Sequence, residues 1–420
     1  MHFRHSLLLA PLAGAMFLCP STPVQAQEHL TLARVQRLAL ESQPLVDAQA
    51  AEVEARRERA IAAGQLPDPE LQFAINELPV DTADAWSFRR DSDTDVMVSV
   101  MQSYPLAAKR KLRRLREEAR TAEAEQELRD LVRTVRRDAG LTYLEVFVAH
   151  EAAELTQSQL AQVLLQHEVA QIQVATGSSV QSDLLATTVE AALLRDKVVE
   201  YQQMLAHKRL ELSRWIGDSA QGEIADDLPM PTLTLSLDNL LANLRMHPTL
   251  LAQEHAEEGA RTGLELARQG YKPDWRMELG YGYRPEFSEM LTLRVSVGLP
   301  LFTRNRQDRE AAAARHDLVQ ASAGRADRLR VLTTEASLRH HDARLYEERL
   351  AIFRKDAVPA AHARVDSAQE SYRAGRGSLI DVLVARRSLL ETEMQVLSLR
   401  AEAMRNRIEL DYFVTSGDQP

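Results

Sequence analysis

Hydrophobic residues recur along most of this chain with a helical period, and in four short stretches with a period of two. Leu32, Val35, Leu38 and Ala39 open a helical pattern that is expected to run to Ala63, stop at Gly64 and be closed off by Pro67. From Ala107 to Ala175 there is no proline, and Gly140 is the only glycine. Leu128, Leu131, Val132, Val135, Ala139, Thr142 and Val146 hold a three-four stripe within that stretch. Those roughly 70 residues reach about 100 Å as one helix. Near the end, Leu379, Leu383, Leu390, Met394, Leu397, Ala401, Met404 and Ile408 follow spacings of 4, 7, 4, 3, 4, 3 and 4, a heptad seam. Helices of this length cannot make a compact globule. They must pack on one another or on neighbouring subunits. A plain coiled-coil rod would satisfy the helices taken alone.

The period-two stretches argue against a rod. At 275, 277, 279, 281 and 283 the residues are apolar or aromatic, and at 276, 278, 280 and 282 they are charged or glycine. Leu291, Leu293, Val295, Val297 and Leu299 then alternate with Thr292, Arg294, Ser296 and Gly298. Strict alternation over about nine residues is what a transmembrane β-strand needs. Leu71, Phe73 and Ile75, then Val96, Val98 and Val100, repeat the pattern more weakly, with an Asp-rich loop at 79–94 between them. A soluble two-stranded hairpin on a helix also alternates. Four strands, however, cannot close a barrel, and hydrocarbon does not tolerate their edges. Three chains supply twelve strands, so strands that sit in lipid imply a trimer.

The chain is also written twice. Gly177-Ser178-Ser179-Val180-Gln181-Ser182-Asp183-Leu184-Leu185 matches Gly375-Arg376-Gly377-Ser378-Leu379-Ile380-Asp381-Val382-Leu383 at an offset of 198, and the same offset pairs Leu212 with Leu410 and Trp215 with Phe413. Pro44 pairs with Pro248 at 204, Pro67-Asp68 with Pro273-Asp274 at 206, and Tyr104-Pro105-Leu106 with Leu299-Pro300-Leu301 at 195. The fall from 206 to 195 places 11 extra residues in the first copy between Asp68 and Pro105. A repeat near 200 residues is too long for a solenoid unit and reads as a duplicated domain in one pseudo-symmetric body. The expected division is a signal peptide at 1–26, a first repeat at 27–217 with strands about 70–104 and a turn about 177–182, a connecting segment at 218–236, and a second repeat at 237–420 with strands about 275–299 and a turn about 375–378.

Composition changes this picture little. Arg4, an apolar run at 7–18 and Val24-Gln25-Ala26 form a secretory signal, so the mature chain begins at Gln27. The lone Cys19 lies inside it, and bulky Leu18 argues against a lipidated N-terminus there. The mature chain then has no cysteine for a disulfide or a thiolate. No later stretch is long and apolar enough for a membrane-spanning helix. The net charge of −10 becomes −11 when Arg4 is removed, which suits a solvated exported protein and argues against nucleic-acid binding.

Candidate chemistry is sparse. No Ser/His/Asp set, P-loop or dinucleotide fingerprint stands out, and no enzyme is read here. His340 and His341 point about 100° apart on a helix and do not chelate together. Met97 and Met101 share a strand face but read as barrel residues rather than a metal site. No cofactor is expected. Gly177, Gly375 and Gly377 read as turn residues, and Pro359 as a helix kink or break. Asp183 and Asp381 follow the two turns. Ser378-x-x-Asp381 has capping-box spacing, which explains the acid as helix-start chemistry. The same two acids, three copies each around an axis, would also make a ring that sets cation preference. Both readings stand.

Pro359-Ala360-Ala361, Tyr372-Arg373-Ala374-Gly375 and Ser378-Leu379-Ile380-Asp381-Val382-Leu383, then Ala385 and Leu389, carry a resemblance to the TolC-like outer membrane efflux family. Gly177, Asp183, Leu184, Leu185 and Trp215-Ile216-Gly217 carry it in the first copy, so it covers nearly all of the mature chain. The resemblance implies a homotrimer: a twelve-stranded barrel, four strands per chain, in the outer membrane, continuous with a long periplasmic α-helical barrel closed at its inner tip by the helix turns. Gly177, Asp183, Gly375 and Asp381 would form that tip gate. It further implies a periplasmic adaptor and an inner-membrane pump, of the resistance-nodulation-division type, as partners. Leu66-Pro67-Asp68-Pro69-Glu70-Leu71, Asn76-Glu77-Leu78-Pro79-Val80-Asp81 and Tyr104-Pro105-Leu106-Ala107-Ala108-Lys109-Arg110 are similar to the heavy-metal, CzcC-like branch. The expected function is a passive conduit for solutes from periplasm to exterior, heavy-metal cations first. A drug-efflux channel, a type I protein-secretion channel and a periplasmic coiled-coil adaptor are the alternatives.

Overall fold

The structure is a computed structural model and describes residues 29–81, 83–177, 180–225 and 236–414. The expected signal peptide with Cys19, residues 178–179 of the first turn and most of the connecting segment lie outside the described residues. The chain runs α1 (Leu32–Glu41), α2 (Pro44–Ala63), β1 (Glu70–Asn76), β2 (Asp95–Tyr104), α3 (Ala107–Ala175) and α4 (Gln181–Ile216). It continues as α5 (Leu237–Leu244), α6 (Pro248–Gln269), β3 (Trp275–Tyr283), β4 (Met290–Val297), α7 (Gln307–Ile352), α8 (Val358–Arg373) and α9 (Leu379–Phe413). α3 is unbroken over 69 residues. Gly140 sits within it because a Cβ there would meet Gln36 Nε2 at 3.0 Å and Leu32 Cδ1 at 3.1 Å, so α1 rests directly on its backbone.

Two helices depart from the reading of the sequence. The single helix expected to reach Ala63 is two, α1 and α2, broken at Ser42-Gln43. Pro44 stands at the first position of α2, and Gln43 before it is extended at φ −95°, ψ 103°, where the proline ring forces it. At Pro359 the expected kink takes the form of a π turn over Phe353–Ala357. Proline offers no N–H to the carbonyl four residues back and its ring crowds it. The wider π turn opens that spacing, and Val358 N donates to Phe353 O instead.

The four strands form one antiparallel sheet in the order β1-β2-β3-β4. Its middle seam joins the two copies, with Tyr104 opposite Trp275 and Val96 opposite Tyr283. Among the described residues, the outer edges of β1 and β4 have no partner. At the junction with the helices, Asp274 binds both copies. Its Oδ1 accepts from Leu106 N at 3.1 Å, its Oδ2 lies 2.9 Å from Lys109 Nζ, and its carbonyl accepts from Gly298 N at 3.0 Å.

The main core lies where α1, α3, α4 and α9 meet, around Val35, Tyr143, Phe147, Leu212 and Ile408. There the Tyr143 hydroxyl, pushed up to about 12 by burial, donates to Leu30 O. A parallel bridge between Leu30 and Ile224 ties the start of the described chain to the segment that follows its first copy. A second core joins α5, α7 and the end of α9 through Leu240, Leu332, Leu410 and Phe413.

Candidate functional site: sheet faces and helix turns

Register decides what each face of the sheet presents. Val98 stands opposite Phe73 on one side and Tyr281 on the other, while Leu279 stands opposite Val100 and Leu293. Apolar residues therefore line up across all four strands on one face. Phe73, Leu291 and Leu293 keep 74%, 75% and 66% of their surface exposed. A continuous apolar face of this kind on a soluble monomer is a liability. Trp275 packs beside Tyr104 at one end of the band, ring centroids 5.6 Å apart, and Tyr281 and Tyr283 stand at the other end. Aromatic girdles flanking an apolar band are the mark of an outer-membrane barrel wall.

The other face is polar and close-packed. Ser99 and Glu278 are buried. Arg294 donates to Glu278 Oε2 at 2.6 Å from directly across the strand pair. Gly280 lets Met97 cover the sheet, since a Cβ there would lie 3.1 Å from the sulfur. Met97 and Met101 do share this inner face, and among the described residues no group of three His, Cys, Asp or Glu side chains is placed to hold a metal ion.

At the far end of the molecule, α3 turns into α4 and α8 into α9. Gly177 and Gly375 take φ of 73° and 68°, the left-handed conformation that ends a helix at little cost only for glycine. After Gly375 the turn is a complete Schellman motif: Gly375 N donates to Tyr372 O at 2.9 Å and Arg376 N to Ser371 O at 2.9 Å. Ser378 and Asp381 then form the capping box that their spacing suggests. Asp381 N donates to Ser378 Oγ at 3.2 Å, and Ser378 N donates to Asp381 Oδ2 at 3.1 Å. The hydrogen bonds from Ser378 hold the Asp381 carboxyl below its ordinary range. Asp183 occupies the matching first turn of α4, where the N-cap residue is Val180, which makes no side-chain hydrogen bond to the helix.

The two helix hairpins are tied together by pairings that the sequence reading did not make. Tyr372 donates its hydroxyl to Gln173 Oε1 at 2.6 Å. Arg387 on α9 pairs with Glu190 on α4. Ala170, Leu379 and Val382 pack with Leu184 beneath them. The signal for Tyr372 was its place in the Tyr-Arg-Ala-Gly string; Arg387 and Glu190 carry no local signal, because only the packing of α4 on α9 makes them neighbours. Asp381 is engaged with its own helix start through Ser378.

Residues 237–413 match the outer membrane efflux protein family. Over 403 residues the chain is 24% identical to the cobalt-zinc-cadmium resistance protein CzcC of Cupriavidus metallidurans, covering 93% of this chain and 91% of that one. Among solved structures, CusC superposes with a TM-score of 0.75 at 16% identity, covering 91% and 92% of the two chains. The outer membrane protein VceC from Vibrio cholerae superposes with a TM-score of 0.75 at 19% identity, covering 92% and 97%. The girdled apolar face, the duplicated strand and helix hairpins and these likenesses agree on the fold of the TolC-like channels, a four-stranded barrel segment continuous with long helical hairpins, and the second half of the chain matches the outer membrane efflux protein family.

Proposed function

We propose that three copies of this chain close a twelve-stranded barrel in the outer membrane and a helical tube beneath it, forming a passive exit duct for heavy-metal cations. The observation that carries the assembly is the sheet: one face apolar across four strands, and an unpaired edge on each side. Lipid satisfies the face but not the edges, and pairing β4 of one copy with β1 of the next satisfies every edge. The expected repeats, 27–217 and 237–420 joined through 218–236 after a signal peptide at 1–26, then give six helix turns at the periplasmic end of a trimer. A periplasmic adaptor and a resistance-nodulation-division pump complete the path from the inner membrane.

The metal assignment is supported by the likeness to a cobalt-zinc-cadmium resistance protein. Deleting the gene should raise sensitivity to cobalt, zinc or cadmium. Unchanged metal tolerance with new sensitivity to dyes or antibiotics would move the cargo to drugs, and loss of an exported polypeptide would move it to protein secretion. Purified protein in the soluble periplasmic fraction as a monomer would overturn the channel itself.

For the tip we propose that Gly177, Gly375, Asp183 and Asp381 form the gate, the glycines making the turns and the acids a ring at the narrowest point. In bilayer recordings Asp183→Ala and Asp381→Ala should each weaken cation preference. Unaltered selectivity in both would reduce the acids to helix-start residues.

A further inference from the structure

On the inner face of the sheet, where β3 and β4 meet the starts of α3 and α7, lies a cavity of 680 Å³. Four cations line it, Lys109, Lys272, Arg276 and Arg306, against two acids, Asp274 and Glu310. These charges are not equally committed. Asp274 is consumed by Leu106 N and by Lys109, whose ammonium also donates to Lys272 O at 2.7 Å. Lys109 is buried, so that pair is a structural peg of no net charge. Among the described residues, the side chains of Lys272, Arg276 and Arg306 have no hydrogen-bonded or ion-paired partner, and all three are exposed. Three uncommitted cations then face one acid, Glu310, in each chain.

We propose that this cavity is a binding site for a small multivalent oxyanion, a phosphate- or carboxylate-bearing solute, on the inner wall of the channel at the level where strands give way to helices. Two guanidinium groups present paired N–H donors to oxyanions, and the Ser103 and Ser296 hydroxyls line the same cavity. A bare divalent cation is repelled from a concavity of this charge. A cation travelling with an anionic chelator is not. The site itself rests on this chain alone; its place in the lumen rests on the channel reading above.

Isothermal titration of the purified full chain with citrate and with inorganic phosphate, at constant ionic strength, tests the site. Citrate should bind, Arg276→Gln and Arg306→Gln should each weaken binding about tenfold, and the double variant should bind no citrate. Arg304→Gln, which removes a neighbouring cation outside the cavity, should bind as the parent does. No binding by the parent, or equal binding by the double variant with its trimer intact, would overturn the proposal. Citrate added to single channels in a bilayer should lower the conductance of the parent and not of the double variant. Binding that depends on both arginines while conductance ignores citrate would overturn the lumenal placement and leave the binding site standing.

Discussion

At the start of α2, Gln43 makes no side-chain hydrogen bond to the helix it begins. At the same point of the second copy, His247 stands before Pro248 and accepts from Thr249 N at Nδ1, 3.3 Å away. Its Nε2–H donates to Tyr412 O at 3.1 Å, and its ring stands edge-on to Tyr412, centroids 4.8 Å apart. Tyr412 and Thr249 in turn both donate to Asp130 on α3, each at 2.8 Å. The turns at the far end repeat the contrast. Val180 offers α4 no cap, while Ser378 builds a capping box with Asp381. Two copies with one backbone plan thus fasten it differently. At these two starts the second copy uses polar side chains and the first does not, while the opening helices of both are capped alike, α1 by Thr31 and α5 by Ser236. Duplication preserves what the backbone needs, proline and glycine above all, and leaves free the side chains that only hold it in place.

The largest expected effect tests where the copies should be alike. Val98 and Leu293 occupy matching strands on the apolar face. Replacing either with Arg should cost about 2–4 kcal/mol if both face the membrane midplane. Thr292→Arg, on the inner face, should cost far less. Reversible unfolding of the reconstituted protein measures all three, and a cost at Leu293 alone would confine the lipid face to the second copy.

His247→Ala should cost about 2 kcal/mol, from a lost cap and a buried carbonyl left unpaired, whereas Gln43→Ala should stay within about 0.5 kcal/mol. The contrast also has a pH signature. Burial holds the His247 imidazole below its ordinary value, with Asp130 opposing that shift and Arg133 and Arg328 adding to it. The folded form is the neutral ring. Its contribution is therefore complete above the unfolded value of about 6.5 and declines as pH falls below it. Melting temperature should drop between pH 7.5 and 5.5 in the parent, and less in His247→Gln.

Gly177→Ala and Gly375→Ala should each cost about 1 kcal/mol, because both turns are left-handed. Unequal costs would show that one hairpin end relaxes. The smallest effects separate the caps. Ser378→Ala should cost about 1 kcal/mol and Val180→Ala close to nothing. The depressed Asp381 carboxyl stabilises α9 above its unfolded value near 4, and that support is lost as pH falls through the lower folded value. On acidification, hydrogen-exchange protection relative to the intrinsic rate should fall at the start of α9 more than at the start of α4.

Much of the fold was legible because it rests on periodicities that a sequence displays. Alternation at Trp275–Tyr283 and Met290–Val297 marks the strands and their faces, and repeated landmarks mark the duplication. The break before α2 is hidden by a helical pattern that continues across it; in the sequence Pro44 stands out as a landmark of the repeat, and only the structure shows it starting a helix. The π turn was announced only as a kink at Pro359. The ties at the far end, Tyr372 to Gln173 and Arg387 to Glu190, join residues 199 and 197 positions apart. The peg of Lys109 and Asp274 likewise spans the two copies. No local pattern carries such pairs, since tertiary packing alone brings them together.

The seam between β2 and β3 has a consequence for how the protein is made. Tyr104 and Trp275 are partners across it, yet 171 residues separate them in the chain (275 − 104). Made from its N-terminus, the chain completes the hairpin of β1 and β2, with its apolar face bare, while the inner neighbour β3 has still to emerge. The hairpin must wait for α3, α4, α5 and α6 before β3 arrives. Non-local pairing of this kind is slow, and exposed strand edges in the interval invite aggregation. The β1–β2 hairpin therefore keeps an unpaired inner edge from the moment Asp95–Tyr104 emerges until Trp275–Tyr283 has followed.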